Sequence, residues 1–237
     1  MLLVEFCGVP GCGKSTLCNE IQEYFESQGY KIENLRLRNS HTTFLGKIKK
    51  IVYIIKLRTV ALFYPVRTLA YKYGRSFNNK SAMFWSKRLV EGVYRINKAK
   101  GKIDIGFFDE GFVQYITSIC YGYQLNSDSY NLISYLDSEI YRTPNNAIIF
   151  HCDLDQEENL RRLKERNRVD RYFSGTDSEI KKKLARKDMD LAKVCNTLNK
   201  ARIININMLD KDNSKAIIIE HISKALMHRT HSWEDNK

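Results

Sequence analysis

The stretch Gly8-Val9-Pro10-Gly11-Cys12-Gly13-Lys14-Ser15-Thr16 constrains the fold of this chain more than any other segment. It follows an apolar run, Leu2 to Cys7, that suits a buried parallel strand. After it, Leu17, Ile21 and Phe25 recur at helical spacing, so Lys14 to Gln28 reads as a helix with one buried face, stopped by Gly29. A glycine-rich turn between strand and helix aims consecutive backbone N–H groups inward, where they surround phosphate oxygens. Lys14 adds a point charge for the terminal phosphates, and the Ser15 hydroxyl is a ligand for Mg²⁺. The positive end of the helix adds to the attraction. All nine residues from Gly8 to Thr16 therefore belong to an expected phosphate-binding loop.

Alternating patterns continue along the chain. Tyr30 to Leu37 reads as a second strand, Ile103 to Phe108 as a third, Ala147 to Cys152 as a fourth and Ile203 to Ile206 as a fifth. Between Asn39 and Lys100 no strand stands out; two or three helices fit, broken near Pro65 and around Gly74 to Asn79, and Gly101 closes the last. Further helices are expected over Asp128 to Ile140, from Glu157, over Ser178 to Leu198 and over Ser214 to Met227, with a frayed tail after His228. Strands alternating with helices imply an α/β fold, a doubly wound parallel sheet. With 237 residues, 43% of them hydrophobic, a single domain covers the chain.

Three further features bear on chemistry. Asp109 and Glu110 end the third strand, where α/β folds place functional carboxylates; either can contact Mg²⁺ or take the proton of an acceptor. The segment from 161 to 171 carries Arg161, Arg162, Lys164, Arg166, Arg168 and Arg171, with Arg162 and Arg166 one helical turn apart. Such a face can clamp a transferring phosphoryl group, whose oxygens gain charge in the transition state. The net charge of +12 favours an anionic partner.

The six cysteines form no C-x-x-C pair, which argues against a zinc ribbon. The chain opens directly on strand and loop, so a reducing, cytoplasmic setting is expected. The apolar stretch around residues 47–72 is interrupted by Lys56, Arg58, Pro65 and Arg67; it is too broken to span a bilayer but suits a helix lying on a membrane surface. A homodimer is compatible with the sequence.

Beyond the fourth strand the chain reads Asp153-Leu154-Asp155-Gln156-Glu157-Glu158-Asn159-Leu160, then Arg162, Arg166 and Asp170-Arg171. In this pattern, and in element order, the chain resembles the thymidylate kinase branch of the P-loop kinases. The resemblance implies a five-stranded sheet of the P-loop NTPase type, a helical acceptor region over about residues 39–100, and a mobile arginine-rich lid over about 161–176. Arg38, Thr43, Leu45 and Gly46 match a family stretch after the second strand, and Lys50 stands where an acceptor-phosphate arginine would be. Arg38, Lys50 and Arg88 are the candidate acceptor-side cations. The chain departs from the family at Asn39-Ser40-His41-Thr42, at Asp109-Glu110-Gly111 and at Pro10. Those positions belong to acceptor recognition, so the donor side is retained and thymidylate is not the expected acceptor.

The leading expectation is therefore an ATP-dependent, Mg²⁺-assisted kinase acting on a small, anionic acceptor, a nucleotide or nucleoside-like molecule. Two alternatives stay open. One is a nucleic-acid kinase or nucleic-acid-dependent ATPase, motivated by the basic charge. The other is a membrane-associated kinase of a lipid or polysaccharide precursor. A GTP-dependent switch is disfavoured, because Asn79-Lys80 is followed by Ser81-Ala82 and not by a base-reading aspartate.

Overall fold

The computed structural model describes residues 1–35, 88, 91–92, 95–123, 147–166, 175–198 and 201–234. Strand β1 (Leu2–Cys7) is buried at every position, Glu5 included, as suits a central strand whose other residues are all apolar. It lies at the centre of a parallel sheet, with β3 (Ile105–Phe108) on one side and β4 (Ala147–Asp153) on the other. Strand β2 (Ile32–Asn34) closes one edge and β5 (Arg202–Asn207) the other, giving the order β2-β3-β1-β4-β5. From β1 the chain crosses to the β2 edge, returns inward to β3, and then passes over to β4 and β5 on the other side. The strand order therefore reverses beside β1, and the crevice above its carboxyl end is where ligands bind in such sheets.

Helix α1 (Lys14–Ser27) buries Leu17, Cys18, Ile21, Gln22 and Phe25 and stops at Gly29, whose φ is +85°. Helix α2 (Phe112–Tyr123) follows β3 directly. The sequence reading does not anticipate it. Residues 112 to 117 are all buried, so no polar face marks the helical period, and its aromatic and β-branched residues suit a strand equally well. Helix α3 (Gln156–Glu165) is capped by Asp155, which accepts the N–H groups of Glu157 and Glu158 at 2.9 and 3.2 Å.

Helix α4 (Asp177–Thr197) begins with a reciprocal Thr176–Glu179 capping box, a motif that contributes about 1 kcal/mol. Helix α5 (Lys211–Glu234) runs past both expected ends, because Asp210 caps it through the Asn213 N–H and its backbone stays helical beyond His228. Residues 95–99 form the helical turn that Gly101 closes. The expected helix over 128–140 and most of the 39–100 region lie outside the described residues.

Buried aromatics and aliphatics from β1, β3 and β4 fill the core, with Phe6 and Phe150 packed at 5.4 Å between ring centroids. Cys7, Cys12, Cys18, Cys152 and Cys195 are buried thiols, as small apolar residues are buried. No described helix is long and apolar enough to cross a membrane.

The buried His151 pairs with the partly exposed Asp188. On β4, His151 places Nε2 3.1 Å from Asp188 Oδ1 and Nδ1 3.3 Å from Asn205 Oδ1. The bond to Asp188 is the main cause that raises its pKa above 6.5, against the opposing effect of burial. An imidazolium can donate to both oxygens at once. The raised pKa makes the pair's contribution full below the unfolded value and lost as pH rises through the folded one. The urea midpoint of the wild type is therefore expected to fall between about pH 6 and pH 8 relative to that of Asp188→Asn. Parallel pH profiles for the two proteins would contradict this.

Candidate phosphate-binding site

The loop grows out of the carboxyl end of β1. Gly8 passes so close to β4 that a Cβ there would lie 2.5 Å from the Cys152 carbonyl oxygen, so no larger residue fits. Gly11 meets α3 in the same way: a Cβ would lie 2.5 Å from Asn159 Oδ1 and 2.9 Å from Leu163 Cγ. Two sides of the loop are thus fixed by backbone-close contacts, one to the sheet and one to the helix expected to carry the arginines. Gly13 is the N-cap of α1, and Ser15 and Thr16 are exposed on its first turn. Val9 and Cys12 are buried, while Pro10 is partly exposed.

Lys14 folds back across the loop. Its Nζ donates to the Val9 carbonyl at 3.0 Å and lies 3.9 Å from Cys12 Sγ. Burial acts to lower its pKa, but Cys12, Glu110, Cys152 and Cys7 together carry it above the ordinary value. Lys14 is therefore a fixed cation at neutral pH.

Asp109 is 3% exposed at the end of β3, the strand beside β1. Glu110 follows it, partly exposed, and its charge acts on Lys14. On α3, Arg162 is held by Glu158, which accepts its Nε at 2.7 Å, and its Nη1 reaches to 3.5 Å from the Cys12 carbonyl oxygen. Arg162 thus stands over the loop as a preformed cation. Arg166 is exposed at the C-cap of α3, one turn further.

The other basic residues of α3 turn away from the loop. Arg161 pairs with Glu158 and Glu165, and Lys164 with Asp177. Together Arg161 and Arg162 hold the Glu158 carboxyl down at about 2. Among the acceptor-side residues, Arg88 is a partly buried helical residue, and Arg38 and Lys50 lie outside the described residues.

Lys187 is a further candidate that the motifs do not mark. Lys187 lies on the inward stripe of α4, between Leu184 and Leu191, both buried. Leu184 and Asp188, on adjacent turns of α4, line a cavity of about 550 Å³ together with Val9 of the loop. Burial first, and then the charge of Lys14, lower the Lys187 pKa to about 8, with Glu110 opposing. In sequence Lys187 is hidden by its basic neighbours Lys181 to Lys183 and Arg186, which suggest a solvated face; its place in the 180-184-187-191-194 stripe is the signal that distinguishes it.

No protein-family model matches the chain, and no curated protein matches it in sequence. Among solved structures, the deoxyadenosine kinase from M. mycoides with bound dATP aligns with a TM-score of 0.51 and 14% identity, over 94% of this chain and 100% of that chain. The same enzyme with bound dCTP gives 0.49 and 14%, over 94% and 100%. The shikimate kinase from Bacteroides thetaiotaomicron gives 0.43 and 11%, over 94% and 98%. The first likeness concerns the fold alone, and the other two are too distant to carry an argument. The five-stranded parallel sheet with flanking helices is the fold that this chain shares with that deoxyadenosine kinase.

Proposed function

We propose that this chain is a kinase, transferring the γ-phosphoryl group of ATP to a small acceptor, a nucleotide or nucleoside-like molecule. The observation that carries this reading is the gathering of three cations, Lys14, Lys187 and Arg162, with the carboxylate Glu110 around one glycine-rich loop at the switch point of the sheet.

The chemistry follows from the charges. The loop amides and Lys14 hold the donor phosphates against the N-terminus of α1. Phosphoryl transfer spreads negative charge over the moving oxygens, so cations fixed in advance lower its barrier. Arg162 is fixed in this way by Glu158; Arg166 joins it from the same helix when the acceptor is bound. The carboxylate of Asp109 or Glu110 orients the acceptor hydroxyl and accepts its proton.

Ser15 and Asp109 offer oxygen donors of the kind Mg²⁺ requires. Among the described residues no group of three or more His, Cys, Asp or Glu is arranged to hold a metal ion. A Mg²⁺ carried largely by phosphates and water needs only one or two protein oxygens, so the donor set fits. When bound, Mg²⁺ supplies charge neutralisation on the phosphates.

Lys187 gives this reading a pH signature. It is charged below about 8 and neutral above. The kcat/KM for ATP, which reports the free enzyme, is expected to fall as pH rises through that value. Lys187→Arg keeps its charge throughout, so its profile should be flatter there. A wild-type profile as flat as the variant's would remove Lys187 from the site.

The fold neighbour is named a deoxyadenosine kinase, which makes a deoxynucleoside the first acceptor to assay. The residues that depart from the thymidylate kinase pattern argue against dTMP. The test is a panel of nucleosides, nucleotides, sugars, oligonucleotides and lipid precursors with γ-labelled ATP. A nucleoside or nucleotide other than dTMP should give the highest kcat/KM. A sugar, lipid precursor or oligonucleotide in first place would overturn the acceptor class, and dTMP in first place would overturn the divergence argument.

A further inference from the structure

We infer that Glu5 is a positioning residue, clamping the turn that bears Asp109 and Glu110 onto the strand that carries the phosphate loop. The inference rests on the phosphotransfer reading given above.

Glu5 lies on β1, three residues before Gly8, and pairs in register with Phe108 of β3 and Ile149 of β4. It is fully buried, and every neighbour on its strand is apolar. Its Oε1 accepts the Val113 N–H of the first turn of α2 at 2.7 Å. Gly111 approaches the same group: a Cβ there would lie 2.6 Å from Glu5 Cδ and 2.9 Å from its Cγ and Oε1. Gly111 and Val113 thus both close on one carboxyl group. Asp109 and Glu110 sit between two fixed points, Phe108 in the sheet and Val113 on the Glu5 side chain.

The energetics argue for a positional role. Desolvating a carboxylate costs several kcal/mol, and an apolar side chain of similar volume packs into a core without that cost. The helix N-terminus and its donated N–H offset part of it. The geometry gives the carboxylate a role, because Glu5 ties the donor strand to the turn holding the candidate base and metal carboxylates. A misplacement of about 1 Å at such groups can cost on the order of 10²-fold in rate.

Three variants test this. Glu5→Met removes the acceptor oxygen while filling the space. It is expected to lower kcat by more than about tenfold and to leave the Kd for ATP within about threefold. Hydrogen exchange at the Val113 amide should accelerate at least about tenfold, with the α1 amides unchanged. Glu5→Gln still offers an oxygen to Val113 and should restore most of kcat. Gly111→Ala leaves Glu5 intact and pushes the turn off the carboxyl group. Gly111 has no left-handed backbone, so the alanine adds bulk only. It should lower kcat without weakening ATP, and it decides the matter should Glu5→Met fail to fold.

Wild-type kcat in Glu5→Met or Gly111→Ala overturns the inference. So does a loss of ATP affinity as large as the loss of kcat, which marks a general structural role. Unchanged Val113 exchange in Glu5→Met overturns the clamp itself. That readout needs no activity, so it stays separate from a wild type that labels no acceptor, which would sink the phosphotransfer reading.

Discussion

Lys14→Ala is expected to reduce phosphoryl transfer by about 10³-fold or more, the scale seen when a fixed cation is taken from a phosphoryl transition state. Folding should barely change. Lys14 is partly exposed, and the hydrogen bond it makes to the Val9 carbonyl can pass to water. Two measurements separate this from general damage. The thermal midpoint should stay within about 2 °C of the wild type, as for a substitution that removes no packing. The Lys187 pKa should move back up toward 10.5, because the charge of Lys14 is one of the two causes depressing it. Activity within a few-fold of the wild type would remove Lys14 from the reaction.

Asp109→Asn should lower kcat by roughly 10²-fold, the usual scale for a positioned base or metal contact. The substitution keeps shape and removes charge, at a residue that is 3% exposed at the end of β3. Running Glu110→Gln beside it divides the roles. Glu110 is partly exposed and lies within the field of Lys14 and Lys187. The carboxylate that takes the acceptor proton should lose kcat with little change in Mg²⁺ dependence. The one that touches the metal or its water should require more Mg²⁺ for half-maximal rate. If Asp109→Asn changes the unfolding midpoint but not turnover per folded molecule, Asp109 is a structural strand-end residue.

The parts of this fold that were legible in sequence are those with a single dominant signal. Strand β1 and the loop follow from an apolar run that ends in a glycine-rich turn, and α1 from a regular stripe. Strands β3, β4 and β5 were placed within a residue or two for the same reason. Helix α2 is not marked in sequence, because the burial of residues 112 to 117 in succession erases there the periodicity that separates a helix from a strand. At the candidate site, the motif marks Lys14 in sequence, and helical spacing sets Arg162 and Arg166 apart from the other cations of the segment. In the structure Arg161 and Lys164 pair with carboxylates while Arg162 reaches the loop, a difference set by the rotation of α3. Lys187 and Glu5 left weaker signals: a cation on an apolar helix stripe, and a carboxylate inside an apolar strand. In both, the meaning depends on what packs opposite, and those partners are 173 and 108 residues away in the chain, at Lys14 and Val113.

The central claim is that this site delivers a phosphoryl group to an acceptor and not to water. A single-turnover reaction with γ-labelled ATP, enzyme in excess, followed with and without a mixture of nucleosides and nucleotides, tests it most directly. The account predicts that the acceptors speed loss of label from ATP by at least about tenfold. Most of the label should then appear on one acceptor, and Lys14→Ala should give no labelled product on the same timescale. Release of all the label as inorganic phosphate, at a rate indifferent to every acceptor, would contradict it.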